Sequence, residues 1–353
     1  MSARWVIIHS GIWAATHTMS VPRGISIDDV QAAAHRIAGR IHRPPVITSQ
    51  SFDDVSGYKV YFKCENLQRA GSFKIRGALN KVLSLSMSER IRGVVAFSSG
   101  NHAQGVALAA EMADTTAVVC MPTDAPQLKI NATRGYGADI VFYDREHDDR
   151  EALARKIAAE TGRILVPPFD DYTIMAGQGT VALELFEDVP SLDALVVPVG
   201  GGGLMAGCST VARTLFPGIT IIGVEADSAN DTFLSLQQGE RVTIPPPSTI
   251  ADGIRLTTPG ALTFPILQQN VNEIVLVSDD EIRMTVRFMV LRTRVVVEPT
   301  GAVAAAAVLS GKLRLEPGAS VGVVLSGANI DPELLVSLLH AAPPPETTEP
   351  ESA

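Results

Sequence analysis

Lys74 is the side chain in this sequence whose surroundings best suit covalent chemistry. It lies in Gly71-Ser72-Phe73-Lys74-Ile75-Arg76-Gly77. An alternating run over residues 59–65 predicts a strand before it, and residues 78–83 predict a helix after it. Ser72 can cap that helix, and a cation just inside a helix N-terminus is disfavoured by the helix dipole. Two readings stand on these residues alone. Lys74 is a lysine on an exposed turn, or it is an amine whose pKa the helix end, Arg76 and burial depress, ready to condense with an aldehyde cofactor.

Two further clusters fall where a strand gives way to a helix. Gly200-Gly201-Gly202-Gly203-Leu204 follows the apolar run 194–199 and precedes a helical pattern over 205–215. Consecutive glycines let backbone N–H groups approach a phosphate, with the positive helix end behind them. The pattern is neither Gly-x-Gly-x-x-Gly nor followed by Gly-Lys-Ser/Thr, so dinucleotide and nucleoside-triphosphate readings are weak. The plain alternative is a flexible turn. Ser98-Ser99-Gly100-Asn101-His102 ends the run 94–97 in the same way and suits an anion such as a carboxylate. Its plain alternatives are N-cap serines, a turn asparagine and a packed helical histidine.

The elements that must hold these clusters read as α/β. Strands are predicted over 94–97, 117–121, 139–142 and 164–166, alternating with helices over 103–112, from 127 onward and over 150–161. This is a small parallel-sheet unit of about 93–170. Around it lie a helix opened by Ser26 with Asp28 and Asp29 in its first turn, a helix over 179–186, and strands over 194–199, 220–224, 273–277 and 320–325. The expected organisation is a large domain of 20–92 and 171–340 with 93–170 inserted as a small one. Residues 1–19 are expected to be a disordered extension, with Met19 the functional start. The Pro/Glu/Thr-rich residues 341–353 are expected to be a disordered tail.

With 353 residues the chain can bury two cores, and its net charge of −9 argues against a nucleic-acid surface. Cys64, Cys120 and Cys208 have no metal-ligand spacing and are odd in number, which fits a reduced, cytoplasmic protein. The apolar stretch over residues 5–15 is too short to span a membrane, and His, Ser and Gly interrupt it as a signal segment.

Ser72-Phe73-Lys74-Ile75-Arg76-Gly77 resembles the pyridoxal-phosphate lysine motif of the serine/threonine dehydratase and serine racemase family. The other clusters recur in that family's order from about 41 to about 331. The resemblance implies the tryptophan synthase β-like fold (type II), two doubly wound sheet domains with the active site between them. It implies that Lys74 carries pyridoxal 5'-phosphate as a Schiff base, with Phe73 beside it and Gly200, Gly201, Gly202, Gly203 and Leu204 on its phosphate. Asn101 would meet the ring hydroxyl, Glu298 would approach the cofactor, and Ser326 of Ser326-Gly327-Ala328-Asn329 would face the ring nitrogen. A hydroxyl there cannot hold that nitrogen protonated, so eliminations in which the β-leaving group departs as the α-proton is lost are favoured. The family usually has glycine where Ala328 stands.

The same resemblance assigns Ser98, Ser99, Gly100, Asn101 and His102 to the substrate, with Ser99 as a second acid/base, and places Arg150 near it. Glu225, the carbonyl of Ala229, and Asp231 match the ligands of the metal-binding branch, where oxygen donors suit Mg²⁺, Ca²⁺ or Mn²⁺. The implied activity is β-elimination from L-threonine or L-serine to a 2-oxo acid and ammonia. Serine racemisation and dehydration of threo-3-hydroxyaspartate are the alternatives, and a homodimer is the implied assembly. A non-catalytic cofactor carrier is disfavoured because Lys74, Ser99 and Ser326 all keep reactive identities.

Overall fold

Ten strands form two sheets in the computed structural model, which describes residues 24–125 and 127–340. The expectations for residues 1–19 and 341–353 lie outside the described residues. The strands are β1 Val46–Ile47, β2 Lys59–Cys64, β3 Val94–Phe97, β4 Ala117–Pro122, β5 Asp139–Tyr143, β6 Ile164–Leu165, β7 Ala194–Pro198, β8 Thr220–Ala226, β9 Glu273–Val277 and β10 Ser320–Leu325. The larger sheet has the order β1-β2-β10-β7-β8-β9, and the smaller one β5-β4-β3-β6. Only β1 runs antiparallel, to β2. Every pairing in the smaller sheet is parallel. Parallel strands need crossovers that cover both faces, and the continuous Val/Ile runs at β3, β7 and β10 follow from that double burial.

Each sheet separates two apolar cores. On the larger sheet, Phe52, Val60, Phe62, Val196 and Val303 pack on one face and Met175, Leu185, Leu195, Met205 and Val211 on the other. On the smaller sheet, Ile75, Leu79, Val94, Val106 and Met121 pack on one face and Val95, Cys120, Tyr143 and Ala154 on the other. The Lys74–Ser84 helix therefore shares its core with the smaller sheet, while the chain just before it is stitched to β10 of the larger one. Lys74 stands where these two attachments meet.

The predicted elements recur with shifted ends. Ser26 and Asp29 form the reciprocal capping box of the Ile27–Ile37 helix. The helix expected from 179 begins at Tyr172, because Asp171 caps it by accepting from Thr173 and Ile174 N–H at 2.8 and 3.0 Å. The Pro299–Leu309 helix carries Glu298 as its N-cap residue and is buried nearly all round, so it has no amphipathic stripe to betray it.

Candidate active site

Lys74 is aimed by backbone contacts with the end of β10. Ser72 forms an antiparallel bridge with Gly327. Phe73 N–H donates to the Ser326 carbonyl at 3.1 Å, and Ala328 N–H donates to the Gly71 carbonyl at 2.9 Å. Gly71 has φ 67°, and a Cβ there would fall 2.4 Å from Asn329 Oδ1, so both conformation and space require glycine. Ala328, the departure from the usual glycine, is not among the positive-φ residues and fits without strain. The expected Ser72 cap is absent: Phe73 is the N-cap residue, and the Ser72 hydroxyl is buried without a partner. Ser72 is held extended by its bridge, so its side chain does not reach the helix N–H groups.

The half-buried Lys74 ammonium donates to the Pro168 carbonyl at 2.9 Å. Burial lowers its pKa from 10.5 to about 8. The expectation that Arg76 shares in this depression is corrected by the structure. Arg76 is fully buried and turned away into its own acids, Glu65 at 2.7 and 2.8 Å and Glu184 at 2.8 and 2.7 Å. Lys63 joins Glu184 at 2.6 Å, so two cations and two carboxylates close a buried network beneath the Lys74 helix.

One cleft gathers the C-terminal ends of β3, β7 and β10, the edge where parallel sheets bind ligands. Lys74, Phe73, Ser98, Ser99, Gly100, Asn101, His102, Arg150, Gly200 to Leu204, Glu298 and Ser326 all line it. Gly202 has φ 88° and is the N-cap residue of the Gly203–Leu215 helix, so no side chain covers the first N–H groups of that helix. A Cβ on Gly201 would strike the Phe169 ring at 2.4 Å, which lets that ring pack flush against the loop.

Opposite, Asn101 Nδ2 donates to Glu298 Oε1 at 2.5 Å, and Asn101 Oδ1 accepts from Asn329 at 2.8 Å. Burial, with Asp252 nearby, raises the Glu298 pKa to about 7. Ser326 is buried and its hydroxyl donates to the Thr300 carbonyl at 3.4 Å. His102 is buried, with Nε2 against the Val166 carbonyl at 2.9 Å and Nδ1 without a partner. Burial and the Lys74 charge hold its pKa down to about 3, so it is neutral near pH 7.

Glu225, Ala229 and Asp231 do not line this cleft. They sit at the end of β8, all buried. Glu225 accepts from Thr232 and Phe233 N–H at 3.1 and 2.8 Å. Neither Asp231 carboxylate oxygen has a partner. Burial and Asp231 raise the Glu225 pKa to about 8, and burial raises that of Asp231 to about 7. Among the described residues no group of three or more His, Cys, Asp and Glu gathers, so a cation here would need carbonyl oxygen as well.

The model of a family described as pyridoxal-phosphate dependent enzyme matches residues 37–327. The chain belongs to the pyridoxal-phosphate-dependent enzyme family. It is 47% identical over 311 residues to an L-threo-3-hydroxyaspartate ammonia-lyase of Saccharomyces cerevisiae, covering 88% of this chain and 95% of that one. It is 44% identical over 302 residues to an L-threonine ammonia-lyase of Geobacter sulfurreducens, covering 86% and 75%. The solved maize serine racemase superposes with a TM-score of 0.86 at 38% identity, covering 89% and 97%. The fold is the type II fold of these pyridoxal-phosphate enzymes.

The residues fit the family's cofactor. An amine of lowered pKa, an uncapped helix start behind four glycines and a buried hydroxyl at the end of β10 line one cleft. Sequence reasoning missed the strand-to-helix segment over 166–170. Val166 and Pro168 offer carbonyls to His102 and Lys74, Phe169 backs the glycines, and Asp170 accepts from Leu262 N–H at 2.8 Å. The adjoining Pro167-Pro168 pair, which halts regular structure, was the signal available.

Proposed function

We propose that this pyridoxal-phosphate enzyme is an ammonia-lyase that acts on a β-hydroxy amino acid, with L-threonine and L-serine as its reference substrates. The products are 2-oxobutanoate or pyruvate and ammonia. The observation that carries the reading is Lys74, an amine of lowered pKa in a cleft whose β10 end offers the Ser326 hydroxyl and not a carboxylate. Bound through Lys74, pyridoxal phosphate supplies the electron sink that makes an amino acid's α-proton removable. The N–H groups of the Gly200–Leu204 turn would hold its phosphate, Asn101 would meet its ring hydroxyl, Glu298 would approach the cofactor, and Ser326 would face its ring nitrogen. The loop from Ser98 to His102 holds the substrate α-carboxylate at the start of the Asn101–Met112 helix. Lys74 Nζ takes the α-proton, and Phe73, Phe97 and Phe169 keep water from the reacting atoms.

Incubating the purified holoenzyme with L-threonine should yield 2-oxobutanoate and ammonia in equal amounts. Lys74→Ala should abolish both this turnover and the visible absorbance of the bound cofactor. An unchanged spectrum in that variant would refute the assignment. A second reading, serine racemisation, draws on Ser99, which lines the cleft and has no hydrogen bond among the described residues. Chiral chromatography after incubation with L-serine separates the two: D-serine in excess of pyruvate favours racemisation.

Glu225, the Ala229 carbonyl and Asp231 are the proposed ligands of a divalent cation, Mg²⁺ first, with Ca²⁺ or Mn²⁺ as alternatives. Two unpartnered buried carboxylate oxygens support this, since burial of an ionised carboxylate calls for a counter-charge. We also propose a cytoplasmic homodimer, with 20–92 and 171–340 as the large domain and 93–170 as the small one. Among the described residues no helix is long and apolar enough to cross a membrane.

A further inference from the structure

We infer that Asp170 is a positioning residue for the cofactor phosphate: it caps the start of the Thr263–Asn270 helix, and that helix start holds the Gly200–Leu204 turn with its N–H groups toward the cleft. This rests on the proposed seating of the phosphate at that turn and adds a residue outside it. Leu262 is the N-cap residue of the Thr263–Asn270 helix and has no side-chain oxygen, so the helix does not cap itself. Asp170, 92 residues earlier, caps it instead. Its carboxylate accepts from the N–H groups of Ala261 at 3.0 Å, Leu262 at 2.8 Å and Thr263 at 3.3 Å. An anion also suits the positive end of the helix dipole. A Cβ on Gly260 would lie 2.4 Å from Asp170 Oδ1 and 2.6 Å from Thr263 Oγ1, so the junction is closed tightly around glycine.

The capped end grips the glycine turn at one atom. The Thr263 hydroxyl donates to the Gly201 carbonyl at 2.7 Å, and Gly260 N–H donates to the same oxygen at 3.3 Å. Thr263 is fully buried and does not line the cleft, so the Gly201 carbonyl is drawn away from the cleft. In a planar trans peptide the next N–H, that of Gly202, points the opposite way, toward the cleft. Glycines put little steric limit on a peptide's rotation, so without this grip the same peptide is free to turn its carbonyl oxygen to the anion. The segment that supplies Asp170 also holds Lys74. The Pro168 carbonyl receives the Lys74 ammonium at 2.9 Å, and Asp171 pairs at 2.6 Å with Lys81 of the Lys74–Ser84 helix. Residues 168–171 therefore tie the lysine side of the cleft to the phosphate side, and Asp170 is the tie to the phosphate side.

The competing explanation is that Asp170 stabilises the fold and nothing more. Pyridoxal, which lacks the phosphate, distinguishes the two. The full-length apoenzyme is titrated with pyridoxal phosphate and with pyridoxal, each followed by visible absorbance, and the Tm of each variant is recorded beside them. The unaltered protein should bind pyridoxal phosphate at least about a hundredfold tighter than pyridoxal. Asp170→Ala should weaken pyridoxal phosphate by about tenfold and leave pyridoxal within about twofold. Thr263→Val should reproduce that selective loss. The double variant should be about as weak as the weaker single one, because both residues act along one route. Asp170→Asn keeps an oxygen for the Leu262 and Thr263 N–H groups and should recover most of the affinity.

Equal weakening of both aldehydes in Asp170→Ala, however far its Tm falls, overturns the inference. So do an unchanged affinity for pyridoxal phosphate, additive losses in the double variant, or an Asp170→Asn as weak as Asp170→Ala. If Asp170→Ala does not fold, the selective loss in Thr263→Val decides alone. Equal binding of the two aldehydes by the unaltered protein sinks the seating of the phosphate itself. A strong preference for pyridoxal phosphate that survives in Asp170→Ala sinks only the part given to Asp170.

Discussion

A lysine with its ordinary pKa of 10.5 is almost wholly protonated at pH 7, and Lys74 escapes this because burial lowers its pKa to about 8. The neutral, nucleophilic fraction at pH 7 rises from about one in three thousand to about one in ten. The rate at which apoenzyme captures pyridoxal phosphate should therefore climb with pH through a midpoint near 8, followed by visible absorbance in stopped flow. A midpoint above pH 10 would mean that the ammonium is solvated. Glu298 belongs to the same scale. Its pKa near 7, raised by burial and Asp252, places a proton beside Asn101 that is half lost at neutrality. Glu298→Gln should remove an inflection near pH 7 from the absorbance titration of the holoenzyme, and an unaltered titration would show that Glu298 does not sense the cofactor.

Among the elements, the Lys74–Ser84 helix is fixed from below by Arg76 and from its start by β10. Replacing Arg76 with Met strands Glu65 as a buried carboxylate and leaves Glu184 to Lys63 alone, and should cost about 3–5 kcal/mol in chemical denaturation. A loss below about 1 kcal/mol would mean that water reaches the network. The glycine turn has a different sensitivity. A Cβ on Gly201 meets the Phe169 ring at 2.4 Å, so Gly201→Ala should weaken cofactor affinity more than it weakens the fold, read as the cofactor dissociation constant against the denaturation midpoint.

These elements were legible to different degrees. Continuous Val/Ile runs marked β3, β7 and β10 almost to the residue, because strands buried on both faces leave no ambiguity of face. The motif around Lys74, the glycine turn and the loop from Ser98 to His102 were legible as strand-to-helix junctions, and all three line the cleft. What stayed hidden depends on distant partners. Arg76 looked like a neighbour of Lys74 by spacing, yet its acids come from Glu65 on one side and Glu184, 108 residues away, on the other. The Pro168 carbonyl that receives Lys74 is 94 residues distant. The Lys129–Asp252 pair spans 123 residues, and no local pattern announces it.

For the whole molecule, the acids at the end of β8 tie stability to pH and, at the proposed cation site, to cation supply. Glu225 and Asp231 have folded pKa values near 8 and 7, above their ordinary 4.5 and 3.8. Between those limits the folded chain binds more protons than the unfolded one, so without cation its stability falls as pH rises from about 4 to about 8. A divalent cation needs both carboxylates ionised, so its stabilisation grows over the same range. Mg²⁺ at a hundred times its dissociation constant should add about 2.7 kcal/mol at pH 8.5 and less at pH 6, seen as a larger Tm increase at the higher pH. Equal increases at both pH values, or none, would count against the site.

The two sheets meet at one cleft, where Lys74 is the lysine proposed to carry the cofactor. Borohydride reduction of the holoenzyme followed by peptide mass spectrometry tests this directly. The phosphopyridoxyl group is expected on Lys74 alone. Its appearance on another lysine, with the Lys74 peptide unmodified, would contradict the account.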